Sequence, residues 1–277
     1  MTDIYALFQE GKEFTEEDTK RLAERLASTI TKKFKPRVGK QRPEKIRPSN
    51  LGQPARKLWF DINTLPEEFE WSPQMLLNFL YGDMCEEVML WLAEQAGHHV
   101  DHLQHPVNGY GLRGYMDCTI DGHTVDAKSA FAKNFIKFRD GSIRGEYQDP
   151  YGYIGQLSYY DQVRKGGVQE PSTAYFFAFD KVGQLALTPI FHVEQPNIEE
   201  RVKYLNEAMS KDTPPEEKCY PDEPDGKSGN RKLHLQCTRC KHKWNCWEGL
   251  RAFDYKPATR YLTHVEVEPR VKELSNG

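Results

Sequence analysis

Apolar residues recur at the spacing of an amphipathic helix in four stretches of the chain. The first helix is expected to begin after the capping residue Thr15, and its apolar stripe is formed by Leu22, Leu26 and Ile30. The second is expected to begin at Ser72-Pro73 and to end near Ala96. Its predicted buried face consists of Leu76, Leu80, Met84, Val88 and Trp91. Two further helices are expected over residues 151–163 and from residue 196 to about residue 210.

Two β-hairpins are predicted between these helices. Residues 110–130 have the composition of two short strands joined by the turn Ile120-Asp121-Gly122-His123, in which glycine supplies the positive φ of a tight turn. Asp117 is expected on the first strand, and Asp126 and Lys128 on the second. Residues 172–189 predict another hairpin that turns at residues 181–184, and we place it in the same sheet.

The first hairpin brings candidate chemistry together. Asp126 and Lys128 are two residues apart, so their side chains share one face of the strand, and the turn brings Asp117 close to them. The same pattern is common at a solvated strand edge. Buried carboxylates repel each other, however, and Mg²⁺ compensates this repulsion because it prefers carboxylate oxygens. The pattern therefore predicts a metal site beside a lysine that can position a water nucleophile.

Composition restricts the class of protein. Charged residues make up 29% of the 277 positions and the net charge is −3, so no overall basicity indicates nucleic acid, although a local positive groove is enough for binding. No apolar run approaches about 18 residues, and the chain does not open with a basic segment followed by an apolar one. We therefore expect no membrane partner, a cytoplasmic location, and cysteines that are free or metal-bound.

A basic segment that contains prolines follows the first helix. Glu44 is the one acidic residue between positions 32 and 47, whereas eight are basic: Lys32, Lys33, Lys35, Arg37, Lys40, Arg42, Lys45 and Arg47. This composition predicts an extended arm. The arm is either a solvated linker or a contact for phosphates near the mouth of the site, and the second use would make nucleic-acid binding depend on salt.

Four cysteines near the end of the chain have the spacing of a metal site. Cys237 and Cys240 form Cys-x-x-Cys, Cys246 follows after five residues, and Cys219 lies eighteen positions before Cys237. Four thiolates complete a tetrahedron around one ion. Residues 211–236 are too polar to form much core, so a bound metal would keep this segment ordered. The alternative is four unrelated free cysteines.

Two further patterns place polar residues on helices. Gly82-x-x-x-Glu86 is embedded in the second helix, and Glu86 is the candidate site residue of this helix. Glu87 lies nearer the centre of the apolar stripe and is the alternative candidate. Gln156 and Tyr160 are four residues apart and share a helix face.

Aromatic and basic residues interleave between positions 130 and 144. Lys133 and Lys137 are the basic residues closest to the hairpin in this stretch. Aromatic rings with basic neighbours can hold nucleic acid by stacking and phosphate contact. The alternative is a strand with an apolar inner face and a wet outer face.

The order of these motifs resembles the PD-(D/E)XK nuclease superfamily, and more narrowly its RecB-like and lambda-type exonuclease branch. Gly114-x-x-Asp117 followed by Asp126-x-Lys128 is similar to the nuclease signature. The Gly82–Glu86 pattern is similar to the helical motif that delivers another carboxylate, and the Gln156–Tyr160 pattern to the motif that follows the metal-binding strands. The resemblance covers about residues 49–247.

The two ends of this range are similar to the CRISPR-associated exonucleases that carry an iron–sulfur cluster. Residues 49–60 resemble their first motif, and the Cys-x-x-Cys-x5-Cys pattern followed by Trp247 resembles their last. Gln53 stands where those relatives have a cluster cysteine, a role that Cys219 would take over here. We expect zinc at the four cysteines, and a 4Fe–4S cluster is the alternative.

The resemblance implies an α/β fold with a PD-(D/E)XK restriction-endonuclease-like core, in which helices flank a mixed central sheet. The expected organisation is an N-terminal helix and basic arm (residues 1–48), the nuclease core (49–210) and a cysteine-rich metal-binding segment (211–277). Glu86, Asp117, Asp126 and a backbone carbonyl next to Asp126 are expected to hold Mg²⁺ or Mn²⁺.

The remaining site residues follow from the same resemblance. Lys128 is expected to orient the attacking water, and Gln156 and Tyr160 to hold the strand. Arg56, Lys133 and Lys137 are expected to contact DNA.

The implied activity is hydrolysis of DNA phosphodiester bonds from DNA ends, in phage-type DNA processing or recombination. The expected partners are DNA, a second copy of the chain, and a single-strand-binding or recombination protein, in the host cytoplasm if a phage encodes the chain. A structure-specific endonuclease on the same core and an inert DNA-binding module are the alternatives.

Overall fold

The computed structural model describes residues 1–33, 45–64, 72–145, 147–167, 171–180 and 182–275. Most of the predicted basic arm lies outside the described residues. The chain divides into two compact units. The first unit consists of Met1–Gly52 and Leu65–Tyr204, and the second of Gln53–Thr64 and Leu205–Gly277.

The helices begin and end close to their predicted positions. Thr15 Oγ1 accepts a hydrogen bond from the backbone N–H of Asp18, and Ser72 Oγ accepts one from that of Met75, so both predicted caps are confirmed. The helices are α1 (Thr2–Gln9), α2 (Glu16–Lys33), α3 (Ala55–Asn63), α4 (Pro73–Gln95), α5 (Ala132–Arg139), α6 (Tyr153–Lys165), α7 (Ile198–Met209), α8 (Leu235–Thr238) and α9 (Lys243–Cys246).

The first unit is built around a five-stranded sheet with the strand order β1-β4-β5-β6-β7. Strands β5 and β6 run parallel and the other neighbours run antiparallel, so the sheet is mixed and the α/β class is confirmed. A separate two-stranded sheet pairs β2 with β3. The strands of this unit are β1 (Val100–Asp101), β2 (His105–Gly109), β3 (Leu112–Met116), β4 (Cys118–Ile120), β5 (His123–Ala130), β6 (Thr173–Asp180) and β7 (Leu185–Phe191).

Helices cover both faces of the five-stranded sheet. Side chains alternate along a strand, so the odd-numbered buried residues of β5 and β6 face one core and the even-numbered ones face the other. The first core joins α1 and α4 to Val125, Phe177 and Phe179. The second joins α5 and α6 to Ala130, Phe176 and Ala178. The middle of the sheet is therefore buried on both sides, while its edges remain available for polar groups.

The predicted turn of the first hairpin is confirmed. Ile120 pairs with His123, and the two residues between them have positive φ, +49° at Asp121 and +80° at Gly122. Positive φ at both central positions is the geometry that a two-residue hairpin loop requires. The second hairpin is confirmed as β6 and β7, although residue 181 of its turn lies outside the described residues.

Three details differ from the sequence-based expectations. The first predicted strand is interrupted at Asp117, since β3 pairs with β2 in a separate sheet and only β4 belongs to the hairpin. Residues 132–139 form α5 instead of a strand, because Phe135 and Phe138 are buried on one side of a helix. Leu76, assigned to the buried face of α4, is 37% exposed, since it lies in the first turn, before the segment of α4 that packs into the core.

The second unit contains a five-stranded antiparallel sheet that the sequence analysis did not predict. Its strand order is β12-β10-β11-β9-β8. Tyr220, Leu233, Cys237 and Leu250 form a small buried core beside it. The strands are β8 (Glu223–Pro224), β9 (Arg231–Lys232), β10 (Arg251–Tyr255), β11 (Ala258–His264) and β12 (Glu273–Leu274).

Among the described residues, no helix combines the length and the apolar content that crossing a bilayer demands.

Helix α6 is located by a contact between backbones. A Cβ atom at Gly155 would lie 2.6 Å from the backbone N and 2.7 Å from the Cα of Gly52, a distance that rigid backbone atoms do not tolerate. Glycine at position 155 therefore lets α6 approach the chain at residues 51–52.

We expect Gly155→Ala to destabilise the protein by about 1–3 kcal/mol, because the new methyl group overpacks a backbone contact. Gly166→Ala, at the other end of α6, is the matched control, since that site has open space and only the strain of its positive φ of +76°. The control should cost about 1 kcal/mol. Urea unfolding measures both, and a smaller loss at Gly155 than at Gly166 would contradict the contact.

Candidate active site

The site forms where strand β5 continues past the end of its neighbour β4. Pairing between the two strands stops at Cys118 opposite Val125. The carboxylate of Asp117 then takes the place of a strand partner, because its Oδ2 accepts a hydrogen bond of 2.9 Å from the backbone N–H of Ala127. Because the pairing with β4 ends at Cys118, the backbone N–H of Ala127 is satisfied by the side chain of Asp117 and not by a strand carbonyl.

Asp126 is the buried centre of the site. It is 1% exposed, and Lys128 Nζ lies 2.5 Å from its Oδ2. Apart from this ion pair, neither carboxylate oxygen has a hydrogen-bond partner among the described residues. Burial raises the pKa of Asp126, and Asp117 raises it further, while Lys128 opposes the shift. The two aspartates are therefore close enough to repel each other.

Lys128 is held as an ammonium by its surroundings. Burial opposes its charge, but the carboxylates of Asp126 and Asp117 outweigh that effect and raise its pKa. Its Nζ also lies 4.9 Å from the ring centroid of Tyr153, a cation–π distance. The lysine therefore provides a fixed positive charge between the carboxylates and an aromatic ring.

Glu86 reaches the same cluster from α4. Burial raises its pKa, and the charges of Asp117, Glu87 and Asp126 raise it further. A Cβ at Gly82, one turn earlier, would lie 2.8 Å from Ser129 Oγ on β5, so the glycine of the Gly-x-x-x-Glu pattern lets the helix approach the strand.

Glu87 is engaged by helix α2. Its carboxylate accepts hydrogen bonds from Arg25 Nε at 2.8 Å and from Thr29 Oγ1 at 3.1 Å. These contacts join α2 to α4 and give Glu87 a packing role, while Glu86 interacts with the aspartates.

Gln104 is a site residue that sequence reasoning missed. Its side-chain Nε2 donates to Glu86 Oε1 at 3.0 Å, and its backbone N–H donates to the carbonyl of Asp117 at 2.9 Å. One residue thus fixes the distance between two carboxylate-bearing segments. The residue has a positive φ of +47°, but nothing in the local sequence distinguishes it from an ordinary loop glutamine.

Helix α6 brings Gln156 and Tyr160 to the cluster. Tyr160 is 4% exposed; burial raises its pKa to about 12, a hydrogen bond with Gln156 lowers it, and Asp126 and Asp117 raise it. A Cβ at Gly114 would lie 2.8 Å from the Tyr160 hydroxyl, so this glycine admits the tyrosine beside β3. Both side chains are neutral hydrogen-bonding groups at the rim of the carboxylates.

The expected DNA contacts occupy different surroundings. Lys133 is exposed on α5, and Lys137 Nζ donates to the carbonyl of Gln148 at 2.9 Å. In the second unit, the Arg56 guanidinium is engaged by the cysteine segment, where its Nε donates to Cys246 Sγ at 3.1 Å. Its Nη1 also bonds to the carbonyl of Pro215. Within the basic arm, residues 34–44 lie outside the described residues.

The four grouped cysteines lie together in the second unit. Burial, together with the neighbouring thiols of Cys219, Cys240 and Cys246, raises the pKa of Cys237 to about 12. Burial likewise raises the pKa of Cys219 to about 11, with contributions from Cys246 and Cys240. The four thiols are therefore close enough to interact.

Metal binding was assessed from the chemistry of these groups. Within the described ranges, no three His, Cys, Asp or Glu side chains are arranged so that they could hold an ion as they stand. Nevertheless, the donors beside β5 fit a hard divalent cation: they are carboxylates, burial and neighbouring negative charge raise the pKa of Glu86 and of Asp126, and the buried oxygens of Asp126 have no partner apart from Lys128. The four thiols fit a soft or borderline metal.

Comparison of the chain with protein families, characterised proteins and solved structures gives no match.

Because its folded-state pKa is raised, Glu86 stabilises the fold at low pH and loses that contribution as pH rises from about 4.5 to about 8. In EDTA, the parent should therefore lose more stability across this window than Glu86→Gln, by about 1 kcal/mol or more. Thermal unfolding at several pH values measures this difference.

Glu24→Gln is the matched control for this experiment, because Glu24 is an exposed glutamate on α2. Its pH profile should match that of the parent. An identical pH dependence of stability in the parent and in Glu86→Gln would show that the aspartates do not raise the pKa of Glu86.

Proposed function

We propose that this chain is a DNA exonuclease that depends on a divalent metal and hydrolyses phosphodiester bonds from DNA ends. The observation that carries the proposal is the convergence of Glu86, Asp117, Asp126 and Lys128 beside the central strand β5, where its neighbour β4 ends. Asp126 is buried there with both oxygens short of hydrogen bonds. Holding three carboxylates, one of them fully buried, beside one lysine costs stability, so a function is the better explanation for the cluster than packing.

The topology also supports the proposal. A mixed sheet carries the acidic residues on its central part, and α4 and α6 approach from the two faces with further polar side chains. This arrangement resembles the PD-(D/E)XK restriction-endonuclease-like core.

The residues take distinct roles in the proposed reaction. Glu86, Asp117 and Asp126 would hold Mg²⁺ or Mn²⁺. When bound, such an ion lowers the pKa of a coordinated water and stabilises charge on the phosphate. Lys128 would orient the attacking water, and its ion pair with Asp126 supports this role. Gln156 and Tyr160 offer hydrogen bonds to the DNA strand from the other side of the cluster.

The four cysteines have a structural role in the proposal. Cys219, Cys237, Cys240 and Cys246 would hold Zn²⁺ or a 4Fe–4S cluster within the second unit, whose buried apolar core is small. Arg56 contacts Cys246 in the same segment, so it would support this centre.

Incubation of the purified protein with linear, nicked and closed circular DNA tests the activity, with Mg²⁺ in one arm and EDTA in the other. An exonuclease degrades linear DNA in Mg²⁺ and leaves closed circles intact. Cleavage of circles would indicate an endonuclease on the same site. DNA binding without cleavage in Mg²⁺ and Mn²⁺ would indicate a binding module and refute the proposal.

We expect Asp126→Ala and Lys128→Ala each to lower cleavage at least about 100-fold while DNA binding remains, because each removes a group that acts on the reacting atoms. Asp101→Ala is the matched control, since Asp101 lies exposed on β1 of the same sheet. Rates on end-labelled linear DNA measure the effect. Turnover by either variant at the parent rate would remove these residues from the reaction.

Cys240→Ser should lower the thermal stability of the protein by several kcal/mol, because a four-thiolate centre contributes its binding free energy to folding. Elemental analysis and visible absorption of the parent distinguish zinc from iron. Cys85→Ser is the control, as Cys85 lies on α4, in the first unit. A parent without bound metal and a Cys240→Ser variant with an unchanged melting curve would refute the centre.

A further inference from the structure

A cavity opens directly beside the carboxylate cluster, on the side of Lys128. Its volume is about 80 Å³, several times the space that one water molecule requires. Residues from the end of β5, from α5 and from the segment before α6 line it. The lining residues used below are Lys128, Phe131, Asn134, Lys137, Tyr151 and Tyr153.

The walls of this cavity are flat and aromatic. The rings of Tyr151 and Tyr153 are 5.4 Å apart with an interplanar angle of 28°, and Phe138 continues the row at 6.2 Å and 33° from Tyr153. Two rings at the rim are largely solvent-exposed, Tyr151 at 55% and Phe131 at 58%. Exposed rings beside a cavity are an apolar surface on which another flat ring can stack.

Two lysines, Lys128 and Lys137, and one acidic residue, Asp149, line the same cavity. Lys128 Nζ lies between Asp126 and the face of Tyr153, at 2.5 Å and 4.9 Å respectively. Lys137 lines the cavity, and Lys133 is exposed on the same helix. Asn134 adds an amide that can hydrogen-bond to a heterocycle. Rings with basic neighbours match a nucleotide, whose base is flat and whose phosphate is anionic.

We propose that this cavity binds one unpaired nucleobase of the DNA strand next to the phosphate that is cleaved. The inference rests on the proposed function and specifies its substrate, a strand that is single-stranded at the site. A base and its phosphate are joined through one sugar, so a phosphate at Asp126 leaves its base within reach of a cavity that begins at Lys128. A paired base within a duplex is stacked on both faces and cannot enter such a cavity without leaving the helix.

The test uses single-stranded oligonucleotides that carry the fluorescent base 2-aminopurine at successive positions, with Asp126→Ala protein in Mg²⁺, which is expected to bind DNA without cleaving it and to keep the metal of the four cysteines. Stacking on tyrosine should quench the fluorescence at one or two adjacent positions and not at the others. Added to Asp126→Ala, Tyr151→Ala and Phe131→Ala should each abolish this local quenching and weaken binding about 5- to 150-fold. Phe191→Ala is the matched control, a 47% exposed aromatic residue on β7 that should leave both readouts unchanged.

The outcomes separate this inference from the proposed activity. Local quenching that is lost in Tyr151→Ala supports the cavity even if no DNA is cleaved in Mg²⁺. Cleavage with uniform fluorescence along the oligonucleotide overturns the cavity and leaves the nuclease intact. Equal affinity of the Asp126→Ala protein for the single strand and for its blunt duplex overturns the requirement for an unpaired base.

Discussion

The buried ion pair between Asp126 and Lys128 is the constraint on which the first unit depends. A charge that is 1% exposed is stable only when its surroundings compensate it, and one lysine faces three carboxylates here. The surrounding elements hold these groups together despite their repulsion. Asp117 bonds to the backbone of β5, Gln104 ties Glu86 to the Asp117 segment, and α6 places Tyr160 beside them.

Features that depend on a few neighbouring residues could be predicted from the sequence. Thr15 and Ser72 cap helices through bonds three residues away, and the Asp121-Gly122 turn requires only positive φ at two positions. The interruption at Asp117 could not be predicted in this way, because it depends on β3 pairing with β2. The sheet of the second unit was not predicted either, because three of its strands are only two residues long and are too short to show an alternation of apolar and polar residues.

The candidate site shows the same division between local and distant causes. The hairpin placed Asp117, Asp126 and Lys128 together before any tertiary contact was considered. The choice between Glu86 and Glu87 needed the neighbouring helix, because Arg25 engages Glu87 from α2. Gln104 could not be selected at all, since its importance arises from contacts with residues that are 18 positions before it and 13 after it.

The glycines around α6 have a mechanical consequence. The helix meets residues 51–52 through backbone atoms at one place, and Gly114 admits its tyrosine at another. Contacts between backbones have no rotamers through which to adjust, so the helix cannot slide or roll without breaking them. The side chains that α6 presents to the carboxylates, among them Tyr160, are therefore held in place by the backbone of the helix as well as by their own contacts.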